Sequence, residues 1–308
     1  MESPKTTTGE LPRECSVLSL EAREPMIGTA SRVDVWFLLS YGGPMGAKAL
    51  AESSIPAAVK DLLNQQLEAY PNSRLLLFKP DHPEEIVIYI VNGRQADPFY
   101  RRIRLERYED LPGLDLQSLA DESASLSAPL KQDPFYMVCT NGRRDACCAR
   151  YGLGVFDTLR AQGAASVWQC SHVSGHRYAA NVLMFPHGIY YGRMTPEKVG
   201  SLLSAGDSGQ LLLENYRGRA AYPAAGQAGE ALLRERTGER GIDAYRLLEH
   251  QELPDDIWRV RFASRLEGAV HELSIRRIET GDKLPASCRG EKQSAVVRYE
   301  LENYQMEK

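Results

Sequence analysis

The chain has 308 residues, of which 43% are hydrophobic and 25% charged, and its formal net charge is −4. This composition is that of an ordinary globular protein able to bury hydrophobic cores, and the length favours about two domains, with three small ones as the alternative. The slightly acidic balance argues against a nucleic-acid partner.

The N-terminal segment has no apolar stretch after a basic start, so we expect no signal peptide. The longest apolar run, 33–41, is interrupted by Asp34 and is too short to cross a bilayer. Three of the six cysteines lie within ten positions, which favours metal or redox chemistry in a reducing compartment over a disulfide scaffold. We therefore expect a soluble, cytoplasmic protein that has no membrane or nucleic-acid partner.

An N-terminal α/β domain is predicted over residues 14–120, after a disordered tail over residues 1–13. Its first strand is the apolar run 33–40, and apolar residues at helical spacing between Pro56 and Tyr70 predict an amphipathic helix. Further strands are predicted at 74–78, 85–91 and 100–107. The order β-α-β-β-β favours an α/β or α+β sandwich.

A domain boundary is predicted over residues 109–132, which are rich in Asp, Ser, Leu and Pro and lack clean periodicity. The second domain, over 130–217, begins with a strand that ends on Cys139, and Asp145 is a candidate N-cap of the next helix. The remaining elements of this domain are strands at 166–170, 181–185 and 189–193, then a helix capped by Thr195. The order β-α-β-β-β-α is that of a thioredoxin-like domain.

A small C-terminal α+β region is predicted over residues 220–308. Its elements are a helix at 228–236 and strands near 245–249, 258–262, 272–276 and 296–301. The first two domains share a strand-helix-strand-hairpin outline, which weakly indicates a duplication.

Cysteines and histidines cluster where two predicted strands end, in the segments CTNGRRDACC and CSHVSGH. Strand ends are where open α/β sheets build their sites, and thiolates with imidazoles form zinc sites or iron–sulfur sites. Neighbours in a helix point about 100° apart, so only one cysteine of the CC doublet is expected to bind the same group. The candidate ligands are Cys139, His172, His176 and either Cys147 or Cys148.

Three functions are compatible with these ligands. They are electron transfer by an iron–sulfur protein, a thioredoxin-like thiol oxidoreductase, and a binding protein with a structural zinc held by two cysteines and two histidines. The chain has no CxxC motif, which counts against the oxidoreductase. It also has no GxGxxG, P-loop lysine or GxSxG motif, which favours an electron carrier over a stand-alone enzyme.

The segments CTNGRRDACC, CSHVSGHRYAANVLMFP and GIYYGRM resemble the sucrase/ferredoxin-like family, whose core is a thioredoxin-like [2Fe–2S] ferredoxin domain. The resemblance is strongest over 130–217 and extends more loosely to 24–50 and to the final third. Some family members hold the cluster with two cysteines and two histidines of an HxGGH-type motif. The resemblance therefore implies a [2Fe–2S] cluster whose ligands are Cys139, Cys148, His172 and His176.

The chain departs from the family pattern at two positions. Ser174 replaces the first glycine of the histidine motif, and Cys147 stands beside Cys148 as a rival ligand. Two neutral imidazoles in place of two thiolates leave a cluster less negative, which predicts a raised reduction potential that falls as pH rises. The electrons would pass to or from a redox partner protein. We interpret Arg217 and Arg219 as charges of a solvated loop, with a docking patch for an acidic partner as the alternative.

Overall fold

The structure is a computed structural model that describes residues 14–94, 98–121, 133–164, 166–288 and 292–308. The predicted tail, 1–13, and the second part of the predicted boundary, 122–132, lie outside these residues. The helices are α1 (Cys15–Glu21), α2 (Ala57–Ala69), α3 (Leu116–Ala120), α4 (Ala146–Ala161), α5 (Val199–Asp207) and α6 (Ala224–Thr237). The strands are β1 (Val35–Ser40), β2 (Ser73–Phe78), β3 (Ile86–Asn92), β4 (Phe99–Leu105), β5 (Phe135–Cys139), β6 (Val167–Cys170), β7 (Val182–Phe185), β8 (Ile189–Tyr191), β9 (Tyr216–Arg219), β10 (Tyr245–Leu253), β11 (Ile257–Ser264), β12 (Val270–Pro285) and β13 (Gln293–Glu307). None of the described helices is both long enough and apolar enough to cross a bilayer.

A nine-stranded sheet of order β4-β3-β1-β2-β6-β5-β7-β8-β9 runs through the molecule. In its first half, β1 pairs parallel with β2 and antiparallel with β3. In its second half, β5 pairs parallel with β6 and antiparallel with β7. Each half is thus a strand-helix-strand unit extended by a hairpin, and the second half has the strand order expected of a thioredoxin-like domain. The predicted α/β fold class is confirmed.

The two halves of the sheet join where β2 meets β6 antiparallel, at the pair Phe78 and Cys170. One face of the joined sheet carries a core to which both halves contribute, and Trp36 of the first half packs edge-on against Phe185 of the second at 5.3 Å. Phe135 stacks on Phe185 at 5.0 Å. Burial of large aromatic rings is among the largest sources of stability, so this shared core fixes the position of one half against the other.

The described part of the predicted boundary is packed structure. Residues 108–113 form a 3-10 turn and α3 follows, and both cover the core of the first half. Leu111, Leu116 and Ala120 are fully buried there. Periodicity could not show this, because each segment is too short to display an apolar repeat. The prediction that Thr195 caps the next helix also differs from the structure, because the Thr195 side chain makes no capping hydrogen bond.

The C-terminal region is an antiparallel meander, β10-β11-β12-β13, packed against α6. Its strands are longer than predicted because polar residues continue the outer parts of β12 and β13. This region and α6 cover β9, where Arg217 and Arg219 are 1% and 5% exposed. The interpretation of these arginines as a solvated loop or a docking patch is wrong. The sequence pattern could not show that these arginines are buried, because the residues that contact them come from distant segments of the chain.

Candidate metal centre

Cys139 and Cys148 are brought together by the turn between β5 and α4. Asp145 accepts a hydrogen bond from the Cys147 amide at 3.1 Å, so the predicted N-cap is present and the helix begins where expected. Gly152 then lets α4 lie directly against the end of β5, since a Cβ there would overlap the Cys139 carbonyl oxygen. The close packing of α4 on the end of β5 therefore explains why a glycine stands inside this helix.

Cys139, Cys148 and His172 form the first group of ligand atoms, all within 4.8 Å of one another. The Cys148 Sγ lies 3.7 Å from the His172 Nδ1. The hydrogen bond from Cys148 lowers the pKa of the Cys139 thiol well below its usual value, and His172 adds to this effect. The same hydrogen bond, together with burial, raises the pKa of Cys148. The two pKa shifts are opposite in direction because one sulfur donates to the other.

His176 lies beside this group, with its ring centre 5.1 Å from that of His172. Its Nδ1 faces away from the first thiols, 3.3 Å from the Asp145 Oδ2 and 3.5 Å from the Cys15 Sγ. Burial lowers the pKa of His176, which favours the neutral imidazole that metals bind. Because the Nδ1 lies against Asp145 and Cys15, the Nε2 is the nitrogen left for a metal of the first group.

The CC doublet is divided between two clusters, as neighbours in a helix must be. Whereas Cys148 faces Cys139, the Cys147 Sγ lies 3.7 Å from the Cys15 Sγ and 3.1 Å from the Cys288 Sγ. The Cys15 thiol and the Ser16 hydroxyl lower the pKa of Cys147 to about 6. Cys15 and Cys288 were not singled out by the sequence, because no local spacing connects positions so far apart.

The histidine loop requires two consecutive left-handed residues, Ser174 at φ +76° and Gly175 at φ +70°. A glycine adopts this conformation freely, whereas a serine does so at a cost. Arg74 offsets the cost, because its guanidinium donates to the Ser174 Oγ at 2.7 Å and to the Val173 carbonyl at 2.9 Å. Ser174 thus follows the backbone path that a glycine would take.

Arg217 is a buried cation beneath this loop. Its guanidinium donates to the Asn181 Oδ1 at 2.6 Å and to the Thr29 carbonyl at 2.7 Å, and lies 4.9 Å from the centre of the Tyr178 ring. Asn181 in turn donates to the Gly175 carbonyl at 2.9 Å. Burial lowers the pKa of Arg217 to about 10, so it stays charged at neutral pH. Sequence analysis missed this role, and no spacing signal pairs position 217 with the loop.

A basic cavity of about 320 Å³ opens beside His172. Lys48, Arg74 and Arg144 contribute to its lining, together with His172 itself. Cys139 and Cys148 are 1% exposed, whereas both histidines are only partly buried. The sulfur side of the centre is therefore shielded from water, and the nitrogen side reaches the surface.

Comparison with known proteins places these features in context. The sequence model of the family described as sucrase/ferredoxin-like matches residues 26–218. Relatives named altered inheritance of mitochondria protein 32 include one from Meyerozyma guilliermondii, 26% identical over 48% of this chain and 61% of its own length. The relative of that name from Debaryomyces hansenii is 34% identical over 27% of this chain and 34% of its own length. The chain thus spans less than two thirds of these relatives.

Among solved structures, a variant of the thioredoxin-like [2Fe-2S] ferredoxin from Aquifex aeolicus is similar to this chain. The sequence identity is 16% and the TM-score 0.26, over 28% of this chain and 99% of the ferredoxin.

Proposed function

Since this chain belongs to the sucrase/ferredoxin-like family, we propose that it is an electron carrier with a [2Fe–2S] cluster held by Cys139, Cys148, His172 and His176. The observation that carries the proposal is the gathering of the first three ligand atoms within 4.8 Å, with the second imidazole ring adjacent. Two thiols and two imidazoles are a donor set that iron–sulfur centres use.

The surrounding residues fit such a centre. When bound, a [2Fe–2S] cluster supplies one-electron redox chemistry. Burial of Cys139 and Cys148 keeps water from the thiolates, and the Asp145 Oδ2, 3.3 Å from the His176 Nδ1, favours one orientation of that ring. Arg217 contributes a buried positive charge beneath the histidine loop, which favours added negative charge nearby.

The two imidazole ligands determine whether the reduction potential is raised or lowered. Replacing two thiolates by two neutral imidazoles removes two negative charges, so addition of an electron is easier and the potential is raised. A metal-bound imidazole can also release a proton, and we expect the potential to fall as pH rises.

The carrier needs a redox partner protein, and we propose that this partner approaches the basic cavity beside His172. Its lining by Lys48, Arg74 and Arg144 suits a partner with an acidic surface. We also propose a cytoplasmic location. All six cysteines are free of disulfides, as expected in a reducing compartment.

The proposal is tested on protein purified without air. We expect a brown protein with two irons per chain and visible absorbance that dithionite bleaches. Zinc at the same ligands would give a colourless protein, and a thiol oxidoreductase would turn over disulfides without iron. Either result contradicts the proposal.

Cys139→Ser has a close control in Cys170→Ser. Both residues are buried in the same core and are paired across β5 and β6, but the Cys170 Sγ is not in the ligand group. We expect Cys139→Ser to lose the visible absorbance and Cys170→Ser to keep it. Equal loss in both variants would show a general packing defect instead of a lost ligand.

Each histidine is tested by substitution with cysteine. His172→Cys or His176→Cys is expected to retain a cluster with a lower potential and a weaker pH dependence, because a thiolate adds negative charge. An unchanged potential and pH slope would exclude that histidine as a ligand.

A further inference from the structure

A second cluster of sulfur atoms lies next to the candidate centre. The Sγ atoms of Cys15, Cys147 and Cys288 are separated by 3.7, 3.1 and 3.5 Å, and the Asp145 Oδ1 lies 3.9 Å from the Cys15 Sγ. The ligand atoms of Cys147, Cys288, Cys15 and Asp145 all lie within 4.8 Å of one another. Three thiols and a carboxylate thus converge on one point.

The members of this cluster come from three distant parts of the chain. Cys15 begins α1, Cys147 lies in the first turn of α4, and Cys288 follows the long strand β12. Cys15, Cys147 and Asp145 are buried, whereas Cys288 is partly exposed and leaves a path to solvent. The buried carboxylate among these thiols is that of Asp145, the N-cap of α4.

We infer that Cys15, Cys147 and Cys288, with Asp145 as fourth ligand, bind a zinc ion. In a tetrahedral site with Zn–S bonds of about 2.3 Å, the sulfurs are about 3.8 Å apart, so the separations of 3.7, 3.5 and 3.1 Å need to open by about 0.1, 0.3 and 0.7 Å. Three thiolates select zinc over magnesium or calcium, which prefer oxygen ligands. Binding releases to solvent the protons of those thiols that are still protonated, and no oxidant or reductant is required.

Backbone groups hold Asp145 in place for this role. Its Oδ1 accepts from the Cys147 amide at 3.1 Å and its Oδ2 from the Cys288 amide at 3.0 Å. Oδ1 therefore keeps a lone pair for a metal, whereas Oδ2 also lies 3.3 Å from the His176 Nδ1. The amides therefore orient the carboxylate and offset part of its charge, as outer hydrogen bonds do in metal sites.

The zinc ion would join α1, α4 and the end of the C-terminal hairpin. The same carboxylate lies 3.3 Å from the His176 Nδ1, so the ion would also fix the group that orients this histidine. The C-terminal region would then have a role in this site, because it supplies the ligand Cys288 on the side of the candidate centre next to α1.

The test uses the full chain and separates the two centres. Because zinc could also enter the first centre, zinc content is measured in the double variant Cys139→Ser/His172→Ala, which lacks two of those donors. We expect about one zinc per chain, and zinc-edge X-ray absorption with three sulfurs at about 2.3 Å. Zinc-free protein, or a shell of two sulfurs and two nitrogens, would overturn the inference.

Ligand variants complete the test. Cys288→Ser, at the partly exposed position, is expected to lose zinc to a chelator at least tenfold more readily, and Cys15→Ala to do the same. Cys170→Ser is the control that keeps its zinc. If the zinc-free chain is two hydrogens lighter because Cys147 and Cys288 form a disulfide, the cluster is a redox pair and the zinc site is wrong. The iron content of Cys288→Ser is measured as well. If the zinc site is wrong but the electron-transfer centre is correct, this variant keeps its iron.

Discussion

Gly175→Ala tests how the buried Arg217 supports the histidine loop. Gly175 has φ +70°, which costs a residue with a Cβ roughly 1–2 kcal/mol. The added Cβ would also overlap the Arg217 guanidinium. That group is 1% exposed and cannot retreat into solvent. Displacing it breaks at least one hydrogen bond of a charged donor, roughly 1.5–3 kcal/mol.

The two costs together are roughly 2.5–5 kcal/mol, against a typical unfolding free energy of about 5–15 kcal/mol. We therefore expect the variant to fold, with a lower midpoint in urea and a strongly reduced iron content, since the loop carries both histidines. Iron per chain, visible absorbance and urea unfolding of protein prepared without air measure both effects.

Gly209→Ala is the matched control. Gly209 has φ +63°, but a Cβ there meets nothing within 4 Å. It should lose only the roughly 1–2 kcal/mol of backbone strain and keep its iron. If Gly175→Ala and Gly209→Ala lose equal stability and keep equal iron, the contact between Gly175 and Arg217 does not support the histidine loop.

Three more substitutions address packing and charge. Gly152→Ala is expected to push α4 from the Cys139 carbonyl and lower both stability and iron content, whereas Gly154→Ala, whose nearest neighbour is 3.5 Å away, should gain up to about 1 kcal/mol from helix propensity; equal thermal midpoints would contradict this. Glu230→Gln leaves buried arginines without a counter-charge and should cost roughly 3–5 kcal/mol in urea unfolding. Burial alone raises the pKa of Glu230, but the neighbouring arginines, including Arg234, outweigh it and hold the pKa below its usual value. The native protein should therefore gain stability above the ordinary glutamate pKa, about 4.3, and lose it as pH falls through the lower folded value. If the Glu230→Gln variant loses stability over the same acidic pH range, Glu230 is not the origin of that loss.

Sequence periodicity predicted most of the helices and strands, because apolar spacing and capping residues act within a few positions. The strand ending on Cys139 and the helix capped by Asp145 are examples. Helix α1 and strand β9 were not predicted. Both are short, and both lie against distant segments: α1 contacts β12, and the Gly28 amide donates to the Arg217 carbonyl in β9.

The sequence alone determined which residue types and spacings could bind a metal, since CTNGRRDACC and CSHVSGH each lie within one turn-containing segment. Only the tertiary structure decided that Cys148 and not Cys147 faces Cys139, that Cys15 and Cys288 meet, and that Arg217 lies under the histidine loop. Local spacing fixes the direction of neighbouring side chains. Contacts between residues more than a hundred positions apart depend on how the two halves of the sheet join and how the C-terminal hairpin packs against them.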